Sequence, residues 1–188
     1  MILTTLIIIL LVLLTVAVAI LFAMIGELST RVTGSEARPQ SGPVQQLAEA
    51  RIGSSASGLP TSFERREGVI LIFSTACHAC QQLAPQAARF FRDYPVQLVG
   101  VLISCATAEA GGQFVERYGI TGVVTHLDIN GELSTGVLGV SLSPAAVAVD
   151  AANIVRSAVA FASYSALANW MDSIFGPGSV LEADAMAK

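Results

Sequence analysis

The chain has 188 residues, of which 53% are hydrophobic and only 13% charged, with a formal net charge of −4. Its cations are nine scattered arginines and a single lysine, Lys188, so no basic patch exists to neutralise phosphates and nucleic-acid binding is disfavoured. Three cysteines are too few for a disulfide-stapled scaffold.

The first predicted element is a membrane span. Residues 6–25 carry no charge, and Thr15 is their only polar member. Twenty residues at a rise of about 1.5 Å reach roughly 30 Å, the hydrocarbon thickness of a bilayer. No Lys or Arg precedes the run, and it exceeds the apolar core of a signal peptide, so residues 1–27 read as a retained anchor that contacts lipid through residues 6–25. A buried core helix would not be apolar on every face. The first basic residue, Arg31, follows the span, and by itself places the C-terminal part in the cytoplasm, on a bias of one to three arginines.

Residues 28–60 read as a flexible linker. Of residues 33–60, 15 are Gly, Ser, Pro or Gln, a composition poor in surface to bury. Within it, residues 44–52 have the pattern of a short helix between Gly-Pro and Gly breaks. At the other end, residues 176–188 open with Gly-Pro-Gly and read as a disordered tail.

The stretch between, residues 61–175, alternates strand and helix signals. Residues 69–73 form a continuous apolar run, as in a strand covered on both faces. Residues 81–91 follow as a helix, interrupted one turn in by Pro85. Residues 96–104 form a second buried strand, and 108–118 a second helix stopped by Gly119. His126 and Asp128 fall in residues 125–129, which read as a surface hairpin or loop before the Asn130-Gly131 turn, and receive no role. Residues 145–149 and 154–162 form an apolar hairpin, and 163–174 a closing helix capped by Ser163 or Ser165. The order β-α-β-α-β-β-α describes a mixed sheet covered by helices, an α/β sandwich.

The chemistry lies in Cys77-His78-Ala79-Cys80, directly after the first strand and at the start of the first helix. Free N–H groups and the helix dipole stabilise an anion there, which lowers a cysteine's pKa, and the thiolate is the nucleophile. Cys77 is placed to attack. Cys80, one turn further, lies on the same side and can close a disulfide with it, releasing a bound thiol. His78, if partly protonated, would tune the pair by favouring the thiolate. Read as half of a zinc site, the pair lacks a second CxxC, although Cys105, His78 and His126 are conceivable further ligands. No metal and no cofactor is expected beyond the Cys77–Cys80 dithiol itself. A covalent haem site fails because Gln81, not His, follows the second cysteine. Cys105 ends the second strand at the edge where ligands bind in such sheets. It is a candidate third thiol for exchange, though a small residue packed under a loop is the favoured reading because cysteine is often buried.

Strand, CxxC, helix, strand, helix, hydrophobic hairpin and last helix together resemble the thioredoxin superfamily. In that family a cis-proline opens a strand facing the CxxC, and Pro144 stands where it should be. The resemblance implies a cis Ser143–Pro144 bond and substrate binding along the backbone of Ser143. Further similarity is to the membrane-tethered redoxins that assist maturation of cytochrome c and of methylamine dehydrogenase. It rests on the anchor, Gly26-Glu27-Leu28, Ser74 to Cys80, Arg117-Tyr118-Gly119-Ile120, and residues 143–155. Tethered members face the periplasm, which outweighs the arginine bias and implies a single pass through the inner membrane with an extracytoplasmic redox domain.

The sequence departs from a general thioredoxin. Ala76 replaces the common Trp, His-Ala replaces Gly-Pro, and Leu71 stands where a buried acid serves proton transfer. The resemblance therefore implies a specialised thiol–disulfide oxidoreductase whose partners are a client protein with cysteines or a disulfide and a membrane or soluble redox protein. A non-catalytic assembly subunit of a membrane complex and a CxxC metal carrier remain the alternatives.

Overall fold

The computed structural model describes residues 44–63, 66–94 and 98–176. The predicted anchor, residues 28–43 of the predicted linker and residues 177–188 of the predicted tail lie outside the described residues. Among the described residues no helix is long and apolar enough to cross a membrane.

Six strands form one mixed sheet in the order β1-β6-β5-β2-β3-β4. They are β1 (Gln45–Gln46), β2 (Gly68–Ser74), β3 (Leu98–Cys105), β4 (Thr125–Ile129), β5 (Ala145–Val149) and β6 (Val155–Ala160). Among the described residues three α-helices accompany them: α1 (His78–Asp93), α2 (Ala108–Tyr118) and α3 (Tyr164–Phe175). β2, β3 and β4 run parallel, whereas β5 is antiparallel to β2, β6 to β5 and β1 to β6. The parallel crossovers are the helices α1 and α2, as the chain requires when successive strands point the same way. The β5–β6 hairpin turns on Asp150, whose carboxylate accepts from the N–H groups of Ala152 and Ile154, both at 2.9 Å.

Alternation along the strands produces two apolar layers. Val69, Leu71, Phe73, Val101 and Ile103 face all three helices, represented by Ala84, Phe90, Phe114, Leu167 and Trp170. Ile70, Ile72, Leu102, Val147 and Ala158 face the other way. That second face is not covered by helices of the expected kind. Leu47, Ala50, Ala56, Leu59 and Phe63 cover it, joined by Leu138 and Val140.

The expected linker is thus corrected over residues 44–60, and with it the start of the domain at 61. These residues form a strap. Residues 44–52 are not a helix: β1 pairs with β6, Gln45 opposite Ala160. Beyond it the N–H of Leu47 donates to Ala158 O at 2.9 Å, and that of Ala56 to Asn153 O at 2.7 Å. The physical reason is the apolar second face, which must be shielded from water. Phe63 is fully buried and fills the slot left by Gly100: a Cβ there would lie 2.4 Å from the Phe63 ring.

The expected loop at 125–129 is also corrected. It is β4, in register with β3 from Val101↔Thr125 to Cys105↔Ile129. After the turn at Asn130 and Gly131, a short π-helical segment (Glu132–Val137) lies on the strap side. Buried Asp128 joins the two elements, accepting from the N–H groups of Leu133 at 2.8 Å and Ser134 at 2.9 Å.

Candidate functional site: the Cys77–Cys80 dithiol

β2 delivers the chain to the site, and a tight turn redirects it into α1. The N–H of Thr75 donates to Ser104 O at 3.0 Å and that of Cys77 to Ser74 O at 3.2 Å, fixing the turn against β3. α1 begins at His78, earlier than the periodicity of residues 81–91 indicates, and runs through Pro85. Cys77 itself is the N-cap: its sulfur accepts from the N–H of Cys80 at 3.2 Å. A side-chain acceptor at this position satisfies one of the orphan amides of the first turn.

The two cysteines have opposite environments. Cys77 is partly exposed; Cys80 is fully buried, its sulfur accepting from the Ser74 N–H at 3.4 Å. The Cys77 thiol is lowered to about 6. The hydrogen bond from the Cys80 thiol contributes most, burial opposes it, and the backbone of Cys80 and Ala79 and the Ser143 side chain assist. Burial pushes the Cys80 thiol up, and its bond to Cys77 pushes it further. One sulfur is therefore ionised near neutral pH while the other keeps its proton, which is the asymmetry that separates an attacking from a resolving thiol.

The Ser143–Pro144 bond is cis, and it sits against the dithiol. The Cys77 thiol, when protonated, donates to the Ser143 carbonyl at 3.2 Å across 66 positions of sequence. Pro144 is pinned in turn by the Phe161 N–H, which donates to its carbonyl at 3.2 Å. Leu142 beside it is 48% exposed, an apolar side chain at the rim of the site.

His78 is exposed, with its Nε2 3.2 Å from Gln82 Nε2. The groups that lower Cys77 are those of Cys80, Ser143 and Ala79. Cys105 is 5% exposed and belongs to a different neighbourhood. A Cβ on Gly111 would lie 2.8 Å from its sulfur, so α2 approaches β3 closely at this point. Burial raises its thiol, and the charge of Asp128 raises it further. Among the described residues none of the hydrogen bonds of Cys77 or Cys80 involves it. Leu71, in the position of the missing acid, is fully buried. Among the described residues no group of three or more His, Cys, Asp or Glu side chains is placed to hold a metal ion.

Tyr164 was not singled out from the sequence, and Asp128 was given no role there. Tyr164, first residue of α3, is partly buried, and its hydroxyl donates to Leu83 O at 3.1 Å. Asp128 organises the turn after β4. Its signal was present in the alternation of Thr125, Leu127 and Ile129 with His126 and Asp128, the period of a strand rather than a loop.

No protein-family model matches the chain, and no curated protein matches it. Among solved structures it is similar to MTB dsbF in mixed oxidised and reduced forms, at 21% identity and TM-score 0.49, over 60% of this chain and 83% of that one. It is also similar to a secreted Mycobacterium tuberculosis disulfide oxidoreductase homologous to E. coli DsbE, at 19% identity and TM-score 0.47, over 64% and 93%. StoA from Bacillus subtilis matches at 14% identity and TM-score 0.45, over 57% and 83%. The chain's own geometry gives the domain a thioredoxin-like layout: a CxxC where a central strand enters a helix, faced by a cis-proline that opens a neighbouring strand.

Proposed function

We propose that the protein is a membrane-anchored thiol–disulfide oxidoreductase that acts on protein disulfides during maturation of extracytoplasmic proteins. The observation that carries this reading is the pairing of a partly exposed, low-pKa Cys77 with a buried, protonated Cys80 against the cis Ser143–Pro144 bond. The Cys77 thiolate attacks one sulfur of a client disulfide, forms a mixed disulfide and expels the other client sulfur as a thiolate. Cys80 then attacks the Cys77 sulfur. Its proton passes to the departing client thiolate, leaving a Cys77–Cys80 disulfide and a client reduced by two electrons. The reverse sequence donates a disulfide.

The Ser143 carbonyl, already within hydrogen-bonding reach of Cys77, supplies the edge along which an extended client segment lies, with Leu142 as an apolar contact. The apolar run of residues 6–25 supports lipid anchoring, and the similarity to tethered redoxins supports an extracytoplasmic domain. That same similarity makes a cofactor-bearing protein, such as an amine dehydrogenase or a cytochrome, the favoured client. A tuning role for His78 is supported only by its place beside Cys77 at the helix start, since the groups that lower Cys77 are those of Cys80, Ser143 and Ala79.

The test is alkylation of the reduced protein followed by mass spectrometry across pH. Because the Cys77 pKa is lowered, its thiolate exists above pH 6 and is lost below it. Its labelling rate is expected to rise with a midpoint near pH 6, while Cys80 stays unlabelled. Mild oxidation is expected to join the two in one intramolecular disulfide. A Cys77 midpoint near that of an ordinary thiol, or failure to form that disulfide, overturns the reading.

A further inference from the structure

The dithiol helix is held from outside at one point that the exchange mechanism leaves unused. Tyr164 opens α3, and its ring is clamped between aromatic neighbours, with Phe90 at 4.7 Å and Phe161 at 5.9 Å between centroids. Phe161 in turn meets Phe73 of β2 edge-on at 6.4 Å. From this position its hydroxyl donates to the carbonyl of Leu83 at 3.1 Å, 81 positions away in sequence. Leu83 lies three residues past Cys80 on α1. Pro85 has no N–H to return to the carbonyl of Gln81, so the helix's own ladder is one bond short in the turn that follows the dithiol. The hydroxyl of Tyr164 adds an external tie two residues further on, at the carbonyl of Leu83.

Building on the exchange reading above, we propose that Tyr164 is a positioning residue: its hydroxyl latches the last helix to the first turns of α1 and holds buried Cys80 in line with the sulfur of Cys77. The phenol is suited to a position beside a buried thiol because it stays neutral. Burial raises its pKa, and a charge on Cys80 raises it further. The latch bears on the second step of exchange. Attack by Cys77 needs only the helix start and an accessible sulfur. Resolution needs Cys80 aligned behind the mixed disulfide, and a small misplacement of a reacting group is costly.

Tyr164→Phe removes the hydroxyl and keeps the ring. With glutathione disulfide as probe, quenched-flow mass spectrometry separates formation of the Cys77–glutathione mixed disulfide from its resolution. Formation is expected to change by no more than about twofold, whereas the lifetime of the mixed disulfide lengthens about tenfold. Trp170→Phe weakens α3 packing away from the latch and controls for general destabilisation; it is expected to leave the ratio of the two rates unchanged. Resolution at the wild-type rate in Tyr164→Phe, equal slowing of both steps, or the same selective slowing in Trp170→Phe overturns the latch while leaving the exchange reading intact. A wild-type protein that forms no mixed disulfide overturns the exchange reading and the latch with it.

Discussion

On one face of the sheet Leu71, Phe73, Val101 and Ile103 lie under α1, α2 and α3; on the other, Ile70, Ile72, Leu102 and Val147 lie under the strap and the residues around Leu138. A helix satisfies its own backbone and brings only side chains to the contact. The strap satisfies part of its backbone through its own turns, as in Ala50 N–H to Leu47 O and Phe63 N–H to Pro60 O, and the rest on other segments. Arg51 N–H uses Leu138 O at 3.0 Å and Gly53 N–H uses Val155 O at 2.8 Å, so its order is a property of the assembled domain. The division also separates roles. The dithiol rides on the helical face, whereas the strap holds the segment that leads into the cis-proline. Gly139 fits so closely that a Cβ would lie 2.8 Å from Glu49 O, and Val140 just before Ser141–Pro144 is buried in the strap layer. The two halves of the site are therefore positioned from opposite sides of the sheet.

The largest effect tests whether the strap is core or covering. Phe63→Ala is expected to cost about 3–5 kcal/mol, as much as Phe73→Ala on the helical face, because both rings are fully buried. Urea unfolding of the full chain in detergent measures both. A cost for Phe63→Ala below about 1 kcal/mol would make the strap a loosely held cover and break the equivalence of the two faces.

What the sequence conceals follows from the same contrast. β2, β3 and the hairpin were legible as continuous apolar runs, and the helices by helical spacing and by stop and cap residues. The dithiol was legible too, from its short spacing at a junction of elements, whereas Pro144 was reached through the resemblance to thioredoxins. The strap has no period. Leu47, Ala50, Ala56, Leu59 and Phe63 are irregularly spaced among Gly, Ser and Pro, and their burial is decided by a sheet face formed elsewhere in the chain. β4 was hidden for a related reason: it is an edge strand of five residues in which only Asp128 is buried, so its apolar content resembles that of a loop. Tyr164 was invisible as a latch because its partner is a main-chain carbonyl on another helix.

A smaller effect is expected at the joint between β4 and the strap side. The Asp128 carboxylate accepts from two amides and is 1% exposed. Asp128→Ala leaves the N–H groups of Leu133 and Ser134 without their acceptor, at a cost of about 1–3 kcal/mol. Asp128→Asn keeps one carbonyl oxygen and is expected to fall between wild type and Ala. Hydrogen exchange sharpens the comparison: in Asp128→Ala, protection is expected to fall at Leu133, Ser134 and Val140, with β2 and α1 unaffected. Uniform loss across both faces would show that the two layers open as one unit.

The smallest effect falls on the helical face. Ser163 caps α3 by accepting from the Ala166 N–H at 3.3 Å. Ser163→Ala is expected to cost about 1 kcal/mol, the usual worth of an N-cap, read as a shift in the urea midpoint without a change in slope. The loss stays small because α3 is held chiefly by Leu167, Trp170 and Met171, all buried against the sheet, and by the ring of Tyr164. A helix tied at several independent points tolerates losing one of them. The strap meets the rest of the domain through the N–H groups of Leu47, Arg51, Gly53 and Ala56 and through the fully buried ring of Phe63, and a Ser163→Ala cost equal to that of Phe63→Ala would remove the distinction between one capping bond and a whole buried side chain.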